Sequence, residues 1–136
     1  MGLIHVNYLA IVAAAIVNMI VGALWYGPML FAKQWMEWNN ISVEEMKKIN
    51  PGPLYAQSLV ATLVAYFVLA LLIRGLGATT AAEGMKTAFM MWLGFVTTVQ
   101  FTANLFSQKK IQSYLLDTGY QLLTMLIAGV ILALWQ

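Results

Sequence analysis

Residues Ile49–Ile73 read INPGPLYAQSLVATLVAYFVLALLI, a stretch without Asp, Glu, Lys or Arg. Its length suits a helix that crosses the hydrocarbon core of a bilayer, which needs roughly 20 residues. Three further stretches lack the same four residue types, namely Met1–Ala32, Thr87–Gln108 and Thr118–Gln136. A charged side chain at the bilayer centre costs about 2.5 to 3.5 kcal/mol on insertion scales. Four such stretches therefore predict a polytopic membrane protein.

The composition points to the same class of protein. Of the 136 residues, 62% are hydrophobic and 9% are charged, whereas about a quarter of the residues in a soluble domain are charged. Four spans leave only short connections, so a single domain over residues 1–136 is expected. The formal net charge of +2 is too small to indicate nucleic-acid binding. The chain has no Cys, which excludes thiolate catalysis and Cys-ligated metal centres.

The predicted fold is all-α, a bundle of four transmembrane helices in up-down-up-down order. The spans are predicted at about residues 6–26, 54–72, 86–106 and 114–135. Short connections after the second and third spans favour antiparallel neighbours. Ser113 is a predicted N-cap of the fourth span, and Thr80 and Glu83 have the spacing of a capping box before the third.

The loop between the first two spans is predicted to carry a short interfacial helix. Residues 31–38 are amphipathic and aromatic, which suits a helix lying along the membrane surface. Residues 42–49 predict a second short helix, because Ser42 and Glu45 have capping-box spacing. The aromatic residues at this end form a candidate partner or interface surface: Trp25, Tyr26, Phe31, Trp35 and Trp38.

The basic residues predict an orientation. Arg74 and Lys86 lie on the same side of the predicted bundle as both termini. The other side carries Lys33, Lys47, Lys48, Lys109 and Lys110. Because Lys and Arg are enriched in cytoplasmic loops, this second side is predicted to face the cytoplasm and the termini the outside.

Several short motifs are shared with a known family. The segment GALWYGP occupies residues 22–28 and follows NYLA at 7–10. Later segments are WLGF at 92–95, NLF at 104–106, and Gly119-Tyr120 with Gly129. Together these motifs resemble the small bacterial membrane proteins catalogued as domain of unknown function 1761. The resemblance implies a four-helix protein of the bacterial inner membrane, and it carries no catalytic residue.

The first predicted span has a face of small residues around one polar residue. Four-residue steps place Ala10, Ala14, Asn18 and Gly22 on this face, which predicts close packing against another helix. Asn18 is a candidate polar site within the membrane. Two interpretations stay open, a hydrogen bond across a helix interface and a contact to a ligand or ion.

The third and fourth predicted spans each carry a polar stripe. Thr97, Gln100 and Asn104 share one face of the third span. On the fourth span the stripe is formed by Asp117, Gln121 and Thr124. The two stripes either line a hydrated path or satisfy each other inside the bundle.

Asp117 is the only acid within the predicted spans. A carboxylate in a membrane can take up a proton or pair with a cation. At the start of the fourth helix, however, its charge also suits the helix N-terminus. Both interpretations stay open.

Two hypotheses of function follow. The first is a small transporter or channel subunit acting as a homo-oligomer, because one four-helix bundle leaves little room for water; the face of Ala10, Ala14 and Gly22 is a candidate for self-association. The alternative is an accessory, assembly or membrane-stress protein that binds a larger membrane protein through its aromatic loop. An enzyme is not expected, because no nucleophile–base pair and no metal constellation appears. No cofactor and no metal are expected.

Overall fold

The computed structural model of the protein describes residues 5–136, so residues 1–4 of the first charge-free stretch lie outside the described part. Within this range the secondary structure is helical, without strands. Four helical spans are long and apolar enough to cross a membrane: Tyr8–Trp25, Pro51–Gly75, Ala81–Ser107 and Ile111–Leu134. The predicted all-α class with four apolar spans is confirmed.

Two short helices and one irregular segment complete the chain. The helices in order are α1 (Tyr8–Trp25), α2 (Ala32–Trp38), α3 (Val43–Lys47), α4 (Pro51–Gly75), α5 (Ala81–Met91), α6 (Thr98–Ser107) and α7 (Ile111–Leu134). A π-helical segment, Trp92–Thr97, joins α5 to α6. Helix α5, the π-helical segment and α6 together form the third span. Helices α2 and α3 lie where the loop was predicted to be helical.

Capping explains where the helices begin. The side chains of Ser42 and Thr80 accept the N–H of the residue three positions on, each at 3.1 Å, as predicted. Asn50 caps α4 by accepting the N–H of Gly52 at 3.1 Å. The sequence placed the start of this span at about residue 54. Pro51 instead opens the helix, because the first turn needs no intrahelical N–H donor.

The start of α7 also differs from the prediction. Ser113 was predicted as its N-cap, but the extended residue before the helix is Lys110. The prediction was therefore wrong. Ser113 lies buried inside the first turns, and its hydroxyl accepts a hydrogen bond from Asn39 Nδ2 at 3.0 Å. This bond fastens the loop after α2 to the start of α7.

Helix α7 lies at the centre of the bundle and packs against α1, α4 and α5. Near its end, the carbonyl of Trp135 lies 3.5 Å from Asn7 Nδ2, just before α1. Near its start, Asp117 bonds to Tyr26, just after α1. Helices α1 and α7 therefore run in opposite directions along each other.

The closest helix crossing joins α5 to α7 through two glycines. Both Gly84 and Gly129 are buried. A Cβ atom added to either glycine would collide with the carbonyl oxygen of the other. The next contacts are Ala133 Cβ at 2.7 Å from the Gly84 position and Ala88 Cβ at 2.9 Å from the Gly129 position. Small residues thus let the two backbones touch, as is typical of membrane helix pairs.

Along its length, the bundle consists of a half with an apolar interior and a half with a polar interior. The buried apolar cluster occupies the half near the termini. Its members are Ala10, Ile11, Ala14, Ala15, Tyr66, Leu69, Ala70, Ile73, Ala78, Ala88, Ala128, Leu132 and Ala133. The half near the α2 loop instead contains hydrogen-bonded polar side chains and two cavities. The candidate site lies in this polar half.

Candidate functional site

Asn18 is the centre of a hydrogen-bond network that joins three helices. Its Oδ1 accepts from the hydroxyl of Tyr120 on α7 at 2.9 Å and from that of Tyr66 on α4 at 3.4 Å. Its Nδ2 lies 3.3 Å from Thr62 Oγ1, also on α4. The interhelical hydrogen bond considered from the sequence is therefore present.

Two cavities adjoin this network. The central cavity, of about 410 Å³, lies between α4, α7 and the third span. The loop-side cavity, of about 460 Å³, extends to Tyr26 and Pro28 at the end of α1. Three residues line both of them: Asn18, Ser58 and Tyr120. Both volumes lie in the range of small-molecule sites, about 300 to 1,000 Å³.

The central cavity exists because the third span diverges from α4. Helix α5, the first part of the third span, is held on α7 by the contact between Gly84 and Gly129. The π-helical segment and α6, which form the rest of this span, contain no buried residue. The wall opposite α4 is therefore incomplete. Gln100 and Gln121 bridge it through a hydrogen bond from Gln100 Nε2 to Gln121 Oε1. Ser58, Ala61 and Ala65 line this cavity within a membrane span and are exposed, so the cavity opens at the side of the bundle, where lipid would lie around a single copy.

The π-helical segment is attached to α7 at both ends. Trp92 Nε1 donates to the Thr118 carbonyl at 2.9 Å, and the Tyr114 hydroxyl donates to the Thr97 carbonyl at 3.0 Å. The sequence predicted a regular helix through this region. A π-helical turn holds more residues than an α-helical one, so it changes which side chains share a face.

The predicted polar stripes meet at one pair of residues. Of the third-span candidates, Gln100 reaches the central cavity, where it pairs with Gln121. The Thr97 hydroxyl instead bonds to the Leu93 carbonyl of its own helix at 2.7 Å. Asn104 lies 3.5 Å from the Lys110 carbonyl and lines a separate cavity of about 240 Å³. The two stripes therefore do not form one continuous path.

Asp117 faces α1 rather than the third span. The Tyr26 hydroxyl donates to its Oδ1 at 2.6 Å. Asp117 and Gln121 lie about 40° apart around the helix, but Asp117 bonds to Tyr26 after α1 whereas Gln121 bonds to Gln100 on the third span. Tyr26 lies directly after the last residue of α1. Burial of its phenol raises the pKa above the ordinary value, and the hydrogen bond to Asp117 raises it further. Tyr26 therefore keeps its proton and acts as the donor.

Removal of this donor is expected to destabilise the protein. Tyr26→Phe leaves a partly buried carboxylate without its partner, so we expect a loss of about 1 to 3 kcal/mol in the free energy of unfolding. Asp117→Asn keeps an acceptor oxygen and should lose less. Thermal unfolding in detergent measures both. Tyr55→Phe is the control, because Tyr55 is 58% exposed; an equal loss in this control would contradict the assignment.

The aromatic residues of the candidate partner surface pack onto the bundle itself. The ring centroids of Trp25 and Phe31 are 5.0 Å apart, and those of Tyr26 and Trp35 are 6.1 Å apart. Tyr26 also lies 5.3 Å from Tyr120 in an edge-on arrangement. These side chains, and Trp38, are half-buried. The loop therefore covers the end of the polar half of the bundle.

The small-residue face of α1 packs inside the chain. Ala10 and Ala14 are buried, with 0% and 2% of their surfaces exposed. A Cβ atom at Gly22 would lie 2.8 Å from the Tyr120 hydroxyl. The face packs closely against another helix, as predicted. Its suggested use in self-association was wrong, because Ala10 and Ala14 are already buried within one copy and Gly22 lies against Tyr120 of α7.

The polar wall contributed by α4 was not among the predicted site residues. Ser58, Thr62 and Tyr66 follow one another at four-residue steps, so they share one face of α4 and line the central cavity. This spacing was a readable signal. Tyr120 appeared only in a family motif, although its hydroxyl makes the shortest bond to the Asn18 side chain.

Metal chemistry finds no support in the described part of the chain. No group of three or more His, Cys, Asp or Glu side chains within residues 5–136 is placed to hold a metal ion.

Comparison with known proteins identifies the family of the chain. No curated protein and no solved structure matches the chain. A family model described as Protein of unknown function (DUF1761) matches residues 9–133. This range contains the GALWYGP segment and the later motifs, so the resemblance read from them is confirmed. With four apolar helices and a match over nearly all of its length, the chain belongs to the family Protein of unknown function (DUF1761).

Proposed function

We propose that this protein is a small transport or channel subunit that acts as a homo-oligomer and moves a small solute through its polar cavities. The observation that carries the proposal is the wall shared by the two cavities. Asn18, Ser58 and Tyr120 line both of them, and the hydrogen bond between Asn18 and Tyr120 crosses this wall. Opening that bond would join the cavities into one path from the middle of the bundle to its loop end.

Half-buried polar groups at the opening of the central cavity support self-association. The central cavity opens sideways, and lipid offers no hydrogen bonds to groups such as Gln100 and Gln121 on its walls. A second copy placed over this opening would shield them. The adjacent surface is free within the chain, since Phe95 and Val99 are each 65% exposed. In this proposal the third spans of two copies face each other and their central cavities adjoin.

The positions of the basic residues support the proposed orientation in a plasma (inner) membrane. The bond between Asn39 and Ser113 places the first loop beside the start of α7, so Lys33 and Lys110 lie at the same end. At the other end, Gln136 Nε2 donates to the Ala78 carbonyl, near Arg74. The more basic end would face the cytoplasm, with both termini outside.

The alternative, an accessory or assembly protein, has less support. Its proposed partner surface was the aromatic loop, but Trp25, Tyr26 and Trp35 make their aromatic contacts within the chain. A transport function uses the cavities directly, so it is the function that the geometry favours.

Cysteine labelling tests whether water reaches the central cavity. The chain has no Cys, so a single introduced thiol is the only one to react. Ala61 lines the central cavity, and its α-carbon lies about 15 Å along α4 from Pro51 at 1.5 Å per residue. We expect Ala61→Cys in liposomes to react with a water-soluble maleimide, because a hydrated cavity delivers the reagent to mid-membrane depth.

The neighbouring residue supplies a matched control. Val60 is at nearly the same depth and 60% exposed, but it is not part of either cavity wall. Val60→Cys should face lipid and stay unlabelled until detergent is added. Equal, slow labelling of the two variants in liposomes would contradict the proposed path.

A further inference from the structure

The walls of both cavities are uncharged. Among residues 5–136, no Asp, Glu, Lys, Arg or His lines the central or the loop-side cavity. Asp117 belongs to neither wall, and Tyr26 bonds to its carboxylate. An ion held in a site of low dielectric constant needs an opposite charge or a full set of ligands. These walls supply no such charge.

The central cavity nevertheless offers free hydrogen-bonding groups of both kinds. The one bond between the two glutamines uses Gln100 Nε2 and Gln121 Oε1. Gln100 Oε1 and Gln121 Nε2 have no hydrogen-bond partner within residues 5–136. One is an acceptor and the other a donor. On the opposite wall, Ser58 adds a hydroxyl group, whereas the Thr62 hydroxyl already donates to the Ser58 carbonyl at 2.8 Å.

The rest of the central wall is apolar. Ala61, Ala65, Val96 and Met125 separate the polar groups from one another. The site thus combines a few fixed polar groups with apolar surface, which is the usual make-up of a small-molecule pocket.

We infer that the solute is a small neutral molecule that both donates and accepts hydrogen bonds, of the size and class of a polyol or an amide. This inference rests on the proposed transport function and names its substrate class. Within the central cavity, a hydroxyl or amide group of the solute donates to Gln100 Oε1 and accepts from Gln121 Nε2. An ion would interact favourably with only one of these two groups, a cation with the acceptor or an anion with the donor, and it would lose its hydration shell.

Flux measurements on the intact protein in liposomes test the inference. The neutral probes are glycerol and urea, followed by light scattering after an osmotic step. The ionic probes are potassium and chloride, followed with ion-sensitive dyes, and flux through protein-free liposomes is subtracted from each. We expect protein-dependent permeation of a neutral probe to exceed that of either ion at least about a hundredfold, because an uncompensated charge is strongly excluded from such a site.

A pair of substitutions connects the flux to the glutamines. Gln100→Leu with Gln121→Leu keeps the approximate shape of the wall and removes its free donor and acceptor. We expect this double variant to lose the neutral flux. Val60→Leu, which changes a side chain outside both cavity walls, should keep it.

The outcomes separate this inference from the function on which it rests. Protein-dependent ion flux without neutral flux would overturn the neutral substrate class and leave the transport function standing. Absence of protein-dependent flux for every probe, with Ala61→Cys still labelled to show a folded and hydrated protein, would overturn the transport function and this inference with it. Neutral flux that survives in the double glutamine variant would overturn the role assigned to this wall.

Discussion

Gly129→Leu is expected to prevent the bundle from forming. A side chain at this position would enter the backbone of α5, since even a Cβ atom collides with the Gly84 carbonyl oxygen. The obstruction is backbone and cannot move aside as a flexible side chain can. Overpacking a core costs about 1 to 3 kcal/mol and sometimes more, and here it also separates the two most closely packed helices. We expect a loss of about 3 kcal/mol or more in the free energy of unfolding.

A second glycine of the third span supplies the control. Gly94 is exposed, and a Cβ atom there would have no neighbouring atom within 4 Å. Gly94→Leu should therefore be neutral, or stabilising by up to about 1 kcal/mol, because Leu favours a helix more than Gly does. Thermal unfolding in detergent, followed by size-exclusion chromatography, compares the two variants. A Gly129→Leu protein as stable as Gly94→Leu would show that the backbones do not touch.

The four spans were predictable because the membrane leaves the chain few choices. Backbone groups in lipid must bond within their own segment, so a long charge-free stretch such as Ile49–Ile73 becomes a helix. The ends were harder to place. Pro51 can open a helix as well as stop one, and Ser113 lost its predicted capping role to the backbone of Lys110. The up-down-up-down order and the placement of the termini stay predictions.

The candidate site was predictable only in part. The sequence shows polar residues at helical spacing, so Asn18, Gln100 and Gln121 could be selected before any neighbour was known. Which helices face each other is not visible from such spacing. The polar face of α4 therefore went unnoticed, although Ser58 and Thr62 lie opposite the third span.

The cavity itself depends on two features that a periodic pattern does not show. The glycine crossing holds α5 against α7, while the π-helical segment lets the rest of the span diverge. In sequence, Gly84 with Ala88 and Gly129 with Ala133 have the four-residue spacing of small residues that allows close helix packing. The π-helical turn has no comparable signal in Trp92–Thr97. A space between helices is thus a property of their packing rather than of any one of them.

Ala65→Phe is expected to abolish solute flux while the fold survives. Ala65 is exposed and lines the central cavity from α4, so a larger side chain there would fill the cavity without entering the packed core. An aromatic ring at this position would take up space that a solute in the central cavity needs. We expect loss of the protein-dependent flux of glycerol or urea in liposomes, together with loss of the maleimide reactivity of Ala61→Cys when both changes are combined.

A substitution by Phe at Val60, which is 60% exposed and lies outside both cavity walls, distinguishes blockage of the cavity from a general loss of folding. Val60→Phe adds an aromatic ring to the same helix, but Val60 is part of neither cavity wall. It should leave both flux and labelling unchanged, and thermal unfolding should show that both variants are folded. Full flux through a folded Ala65→Phe protein would mean that the central cavity is not on the path of the solute. Because both readouts depend on the same 410 Å³ space, they must be lost together if that space is the path.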